Sequence, residues 1–397
     1  MANLILFDNP EERLNLLPLT FTRPMADLRV GITTLRQKWE TLLGVESSSS
    51  LTADYLSEKF PPVVTDENLF VAGNVVATPA LAEAVKGLKA GQALIDGTER
   101  LIAVCASMEA FRSGDFNIVA TELKAEAIIN LYDIFGINGR MIVEDYKLVD
   151  TADSQAVSPT NTIIGPTHDE AGRPLIYIAP GARCEGAMLN TTAGPIYVAP
   201  EAEVMEGSCL RGPIAICRHA TVNMGTKIYP ATTIGPWSKV GGELNNVVII
   251  GYSNKAHDGF LGNAVVGEWC NLGAGCVASN LKNDYTPIKL WNYPAHRFLK
   301  TGLQFCGLIM GDHSKAGINT MFNTATVVGV GVNVHGSGFP RNFIASFQEG
   351  GASGFSDVSL TKFFEIAERV MARRGLKLTD VDRRLFTAIN QQADNYK

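Results

Sequence analysis

A six-residue beat constrains this chain more than any other feature in it. Stepping by six from Val198 gives Val204, Leu210, Ile216, Val222, Ile228, Ile234 and Val240, all aliphatic. Four residues after each comes a mostly small residue: Ala202, Ser208, Ile214, Ala220, Thr226, Thr232, Ser238 and Leu244. An α-helix repeats at 3.6 residues and a strand at two, so neither makes this pattern. Self-similarity at a fixed period marks a solenoid. The aliphatic residue points into the coil and the small one fills the narrow space beside it. Three hexads then close one triangular turn of a left-handed parallel β-helix.

The beat organises the rest of the chain. Ile178, Cys184 and Ile196 fall on an earlier register, which implies a short insertion. The pattern breaks at residues 247–262 and resumes at Val266 and Leu272. It is lost again over 279–308 and returns at Met310, Ala316, Phe322, Val328 and Val334. Breaks held on a rigid scaffold are where sites are built. Three units follow: an α/β domain over 1–150, the β-helix over 160–340 and a helical cap over 355–397. The cap has Phe363, Ile366, Ala367 and Val370 at helical spacing and shields the solenoid's open end. In the first unit, residues 3–7 and 68–76 read as strands, and 32–43 and 79–88 as helices. Residues 118–149 read as a helix that turns strand-like over 141–148.

Composition excludes several function classes. The net charge is -6 across 397 residues, with basic residues scattered rather than gathered in a stripe, so nucleic acid is not expected as a partner. No apolar run reaches the ~20 residues needed to span a bilayer. The acid-bearing start lacks a secretory pattern, which points to the cytoplasm. The seven cysteines are dispersed and read as reduced thiols. The histidines at 168, 219, 257, 296, 313 and 335 offer no closely spaced pair for a three-histidine zinc centre. His219 and His313 read as exposed face residues, and Trp237 and Trp269 as solenoid packing.

The first break holds Asn254-Lys255-Ala256-His257-Asp258-Gly259-Phe260-Leu261-Gly262. Then come Asn271-Leu272-Gly273-Ala274-Gly275 and Ser279-Asn280. This series resembles the acetyltransferase half of the bifunctional UDP-N-acetylglucosamine pyrophosphorylase/glucosamine-1-phosphate N-acetyltransferase family. The resemblance puts His257 at the catalytic base. Phe260 and Asn271 fall at acceptor-contacting places, and Ala274 and Asn280 beside the acetyl-CoA thioester; Lys255, near the family's lysine without being its equivalent, is expected to help orient the acceptor. It implies acetyl-CoA as co-substrate, a sugar phosphate or nucleotide sugar as acceptor, and a homotrimer. The chemistry of the residues agrees. An imidazole, with an ordinary pKa of about 6.5, is available as a base at neutral pH. An amine attacking a thioester must lose a proton. Backbone N–H groups of residues 273–275 suit the oxyanion that forms. The family's phosphate-holding arginine and lysine fall on Tyr229 and on Asn246 or Val247, and a serine near its pantetheine arm on Asp312. Acyl transfer is therefore better supported than any one acceptor.

The N-terminus resembles sugar-phosphate nucleotidyltransferases through Ile5-Leu6-Phe7-Asp8, Arg13-Leu14 and residues 17–24, Leu-Pro-Leu-Thr-Phe-Thr-Arg-Pro. The glycine-rich phosphate loop of that family reads Asp8-Asn9-Pro10-Glu11-Glu12 here, acidic and without glycine. Met25 stands for its lysine, and Ala72-Gly73-Asn74 for the motif whose aspartate holds Mg²⁺. Arg13 and Arg23 remain as candidate phosphate contacts. Degenerate head and solenoid together resemble a Bacteroidetes-type variant of the bifunctional enzyme. The alternative activity is uridylyl or thymidylyl transfer, with Mg²⁺ and with the β-helix as trimeric scaffold.

Overall fold

The computed structural model describes residues 3–397. The head is a mixed sheet ordered β2-β1-β3-β5-β4-β6. Its strands are β1 (Asn3–Phe7), β2 (Ser49–Leu51), β3 (Asn68–Ala72), β4 (Gln92–Ile95), β5 (Leu101–Ala106) and β6 (Asn117–Ala120). The helices of the head are α1 (Pro10–Asn15), α2 (Leu35–Leu43), α3 (Asp54–Ser57), α4 (Pro79–Lys86), α5 (Met108–Ser113) and α6 (Leu131–Leu148). The strand-like reading of residues 141–148 is corrected: α6 runs unbroken through them. Its apolar run misleads because Met141, Ile142, Asp145 and Tyr146 are all buried, at helical rather than alternating spacing.

From residue 162 onward the chain coils. Parallel strands stack on three faces, and the hexad aliphatics fill the interior from Ile178 to Ile344. Val204 pairs with Val222 and Val222 with Val240, so a regular coil is eighteen residues. Coiled strands continue past 340, through Phe343–Ile344 and Gln348–Gly351. At one corner of the coils stand Glu201, His219, Trp237, Tyr252, Trp269, His313 and, beyond a coil that has Gly331 there, Phe347; each of the seven has φ between 52° and 61°. Left-handed backbone costs a non-glycine residue about 1–2 kcal/mol. Stacking between coils offsets it: His219 lies 3.8 Å from Trp237, and Tyr252 4.4 Å from Trp269, centroid to centroid. His313 is not an exposed face residue. It is buried in this ladder, against Phe363 and Phe386.

The head is fastened along a second face of the solenoid. Asn138 of α6 donates to the Ala231 carbonyl at 2.8 Å and to the Thr233 hydroxyl at 3.0 Å. Arg23 pairs with Asp312 and, at 3.3 Å, with Glu268, both on solenoid coils. Two C-terminal helices, α7 (Leu360–Ala372) and α8 (Asp380–Ala393), lie over the later coils through Phe363, Ala367 and Phe386. The second break in the beat is an insert of one long coil, Asn271 pairing with Lys315. Its hairpin, Lys289–Asn292 with Arg297–Lys300, reaches back to the head. There Asn292 donates to Asn15, and Tyr293 packs edge-on against Phe21.

Candidate active site

The first break is a change in coil length, not an end to the coil. Val240 pairs with Lys255, fifteen residues on, and Asn254 with Asn271, seventeen on. Much of the shortening sits in one corner. Only Gly241 and Gly242 separate the strands Lys239–Val240 and Glu243–Gly251. Four residues, 256–259, turn the same corner on the next coil, and four more, 273–276, on the one after. A Cβ on Gly241 would lie 2.5 Å from the Ala256 carbonyl oxygen, so this tight turn needs glycine. The four-residue corner below it carries His257, which is exposed.

Asn254 pairs with Asn271 before this corner and Leu261 with Ala278 after it, so His257 and Ala274 turn it on adjacent coils. Adjacent strands lie about 4.8 Å apart. The Gly275 N–H donates to the Asp258 carbonyl at 2.9 Å and the Gly273 N–H to Ala316 at 2.9 Å. Of the three N–H groups expected for an oxyanion, only that of Ala274 makes no hydrogen bond among the described residues.

The other expected residues divide around the corner. Asn271 precedes it and shares a groove of about 420 Å³ with His257. Phe260 follows it, on the next face, and its ring reaches toward Gly262, as does the amide of Asn280. Asn280 stands at that face's far end and donates to Asn263 at 2.8 Å. Lys255 is corrected. It occupies the inward position held by Val240 above and Leu272 below, and it is 1% exposed. Its ammonium donates to the carbonyls of Gly241 and His257. Burial lowers its pKa. It therefore positions the His257 corner from inside and does not face the groove. The fifteen-residue coil carried the signal, because it shifts the inward register onto 255.

The groove's floor is an outward ladder of Lys239, Asn254, Asn271 and Lys315. Val370, Arg373 and Arg374, at the end of α7, roof it. Sequence reasoning treated α7 as a cap and missed this roof.

In the head, Arg13 and Arg23 are also corrected. Arg13 is buried, donating to the Thr20 carbonyl and to Tyr55, with Asp8 at 3.6 Å. Arg23 is committed to Asp312 and Glu268. Neither is free for phosphate. Where the phosphate loop would be, Asn9 caps α1 and Glu12 pairs with Arg100 at 2.7 Å. The buried Asn74 amide donates to Glu12 at 2.8 Å. Asp8 accepts from the Met25 N–H and from Thr52, and burial pushes its pKa up to about 6. These carboxylates are already partnered within the head, so the residues do not fit Mg²⁺. Among the described residues no cluster of three His, Cys, Asp or Glu side chains is placed to hold a metal ion. Among the described residues no helix is long and apolar enough to cross a membrane.

Residues 4–153 match the sugar nucleotidyl transferase family model. The bifunctional protein GlmU of Methanocaldococcus jannaschii is 31% identical over 118 residues, 30% of this chain and 26% of that protein. A bifunctional sugar-1-phosphate nucleotidylyltransferase/acetyltransferase of Sulfurisphaera tokodaii is 26% identical over 144 residues, 36% of this chain and 35% of its own. The GlmU of Synechococcus elongatus is 22% identical over 232 residues, 53% of this chain and 46% of its own. The chain thus spans between a quarter and a half of the length of these relatives. With a sugar nucleotidyl transferase match at its N-terminus and bifunctional relatives of this kind, the chain is GlmU-like.

Proposed function

We propose that the chain is an acetyl-CoA-dependent acyltransferase. Its acceptor is an amino sugar carried as its phosphate or nucleotide, in the making of UDP-N-acetylglucosamine-type cell-envelope precursors. The observation that carries this reading is the shared corner of His257 and the unpartnered Ala274 N–H. A base and an oxyanion donor lie one strand spacing apart, which is what acyl transfer from a thioester needs. The acceptor amine attacks the thioester carbonyl while His257 takes its proton. The oxygen, now negative, is held by the Ala274 N–H. Collapse expels the coenzyme thiolate, and the imidazolium returns a proton to it. Asn271 orients the acceptor on the groove side and Phe260 contacts it from the next face; Ala274 and Asn280 border the donor. Lys255 acts through the His257 carbonyl. The working form in this reading is a cytoplasmic homotrimer, and light scattering after gel filtration tests the trimer.

The test of activity is thiol release from acetyl-CoA with glucosamine-1-phosphate and other amino sugars, for the wild type and His257→Ala. Equal rates would remove His257 from the mechanism. The family match over 4–153 favours a second reading, sugar-1-phosphate nucleotidyl transfer by the head. Pyrophosphate release from UTP or dTTP with a sugar phosphate tests it. The committed carboxylates around Asn74 weigh against Mg²⁺-dependent turnover.

A further inference from the structure

The groove beside His257 is lined by Lys239, Lys315, Arg373 and Arg374 and by no carboxylate. That is unusual for a chain in which 40 acids outnumber 34 bases. The four cations are also unspent. None makes an ion pair among the described residues, whereas their neighbours on the C-terminal helices do. Arg369 pairs with Glu365, Arg383 with Glu368, Arg384 with Glu58 and Lys362 with Glu349. Arg374 donates to the Trp237 carbonyl at 3.2 Å and to the Asn254 amide oxygen at 3.4 Å, and its buried Nε has no partner. Lys315 donates to the His313 carbonyl at 2.8 Å, and burial pushes its pKa down to about 8. Gathering like charges over one groove is costly unless an anion joins them.

The ladder sets the scale. Lys239 and Lys315 are three rungs apart, about 14 Å, with Asn254 and Asn271 between them. A sugar ring fits over two amides, and an ionised group fits at the end where α7 descends.

Taking acyl transfer at His257 as given, we infer that this groove is the acceptor's phosphate-ester site. Lys239, Arg373 and Arg374 hold the ester and Lys315 closes the other end. These residues stand in for the anchors missing at Tyr229 and Asn246. They also make α7, from the same chain, a working wall of the site. The phosphate could instead belong to the coenzyme, and the test separates the two sources.

The probes are glucosamine-1-phosphate, unphosphorylated glucosamine and acetyl-CoA, with Lys239→Gln/Arg373→Gln as the variant. Both side chains are exposed, so the fold tolerates their loss. The expected result is a KM for glucosamine-1-phosphate raised about 10- to 100-fold by loss of two charge-assisted contacts. The KM for acetyl-CoA and the turnover of glucosamine stay unchanged. An unchanged KM for the phosphate ester, equal losses for glucosamine and its phosphate, or a shift confined to acetyl-CoA would each overturn the inference. If no acceptor releases thiol with the wild type, the acyltransferase reading fails by itself. Calorimetric titration with glucosamine-1-phosphate and inorganic phosphate then still decides this one. Binding by the wild type and not by the variant upholds it, and no binding by the wild type ends it.

Discussion

The head and the solenoid groove are two pockets of one chain with opposite electrostatic histories. At the end of β1 in the head, the segment that follows is acidic, and the charges around it are paired: Glu12 with Arg100, Arg13 with Asp8, and, further on, Arg23 with Asp312. In the groove, four cations stand unpaired around an exposed imidazole. The head keeps its fold through apolar packing that no ligand is needed to complete. The groove gathers positive charge that no carboxylate of the described residues meets. Fold and site are thus separable: the head's carboxylates are held by its own side chains, whereas the groove gathers cations with no carboxylate beside them.

The sharpest break of this contrast is His257→Ala. If the groove is the working site, thiol release falls by about 10²- to 10⁴-fold, as expected for loss of a general base. A nearly equal prediction concerns the head's tie to the coil. Arg23→Met leaves Asp312 buried beside Glu268 without its partner, which costs about 3–5 kcal/mol in a denaturant titration. A loss under ~1 kcal/mol would mean that the head is only loosely attached. Lys255→Leu is smaller. Leucine suits an inward position flanked by Val240 and Leu272, so stability holds or rises, while kcat drops about tenfold because the His257 carbonyl loses its donor. A change in KM without a change in kcat would instead put Lys255 on the acceptor.

The smallest effects set the two regions against each other by pH. Asp8, in the head, has a folded pKa of about 6, above its unfolded value of 3.8. The native state holds the extra proton between the two, so stability falls as pH rises from about 4 to 6. Lys315, in the groove, has a folded pKa of about 8, below its unfolded value of 10.5. There the unfolded state holds the extra proton, so stability rises from about pH 8 toward 10.5. Asp8→Asn should flatten the first limb and Lys315→Gln the second, as read by thermal unfolding across pH. A variant that flattens neither limb would show that the group titrates normally.

Much of this was legible before the structure. The hexads fixed the interior because each inward aliphatic recurs at one depth of one coil. His257 lies on the stretch where the register is disturbed and Asn271 on the motif that carries the resemblance, which is how both could be singled out; the groove they share could not be read from the sequence. Lys255 was misread because a lysine beside a candidate base looks like a ligand contact. Only counting fifteen residues from Val240 reveals that it faces inward. Arg373 and Arg374 were illegible: nothing in a C-terminal helix says which of its arginines lies over Asn254 when 120 residues separate them. The same holds for Arg23, whose partner lies 289 residues away. Distance along the chain hides long-range ion pairs, whereas periodicity reveals packing.

The fastening of head to coil carries a consequence for how such a chain can be taken apart. Severing it between the two would strand a guanidinium on one fragment and a carboxylate on the other. It would also leave Asn138 without the Thr233 and Ala231 acceptors it reaches. Neither fragment is a spare part to be exchanged alone. A transplanted head would have to bring its own arginine for Asp312, so the two halves are bound to change in step.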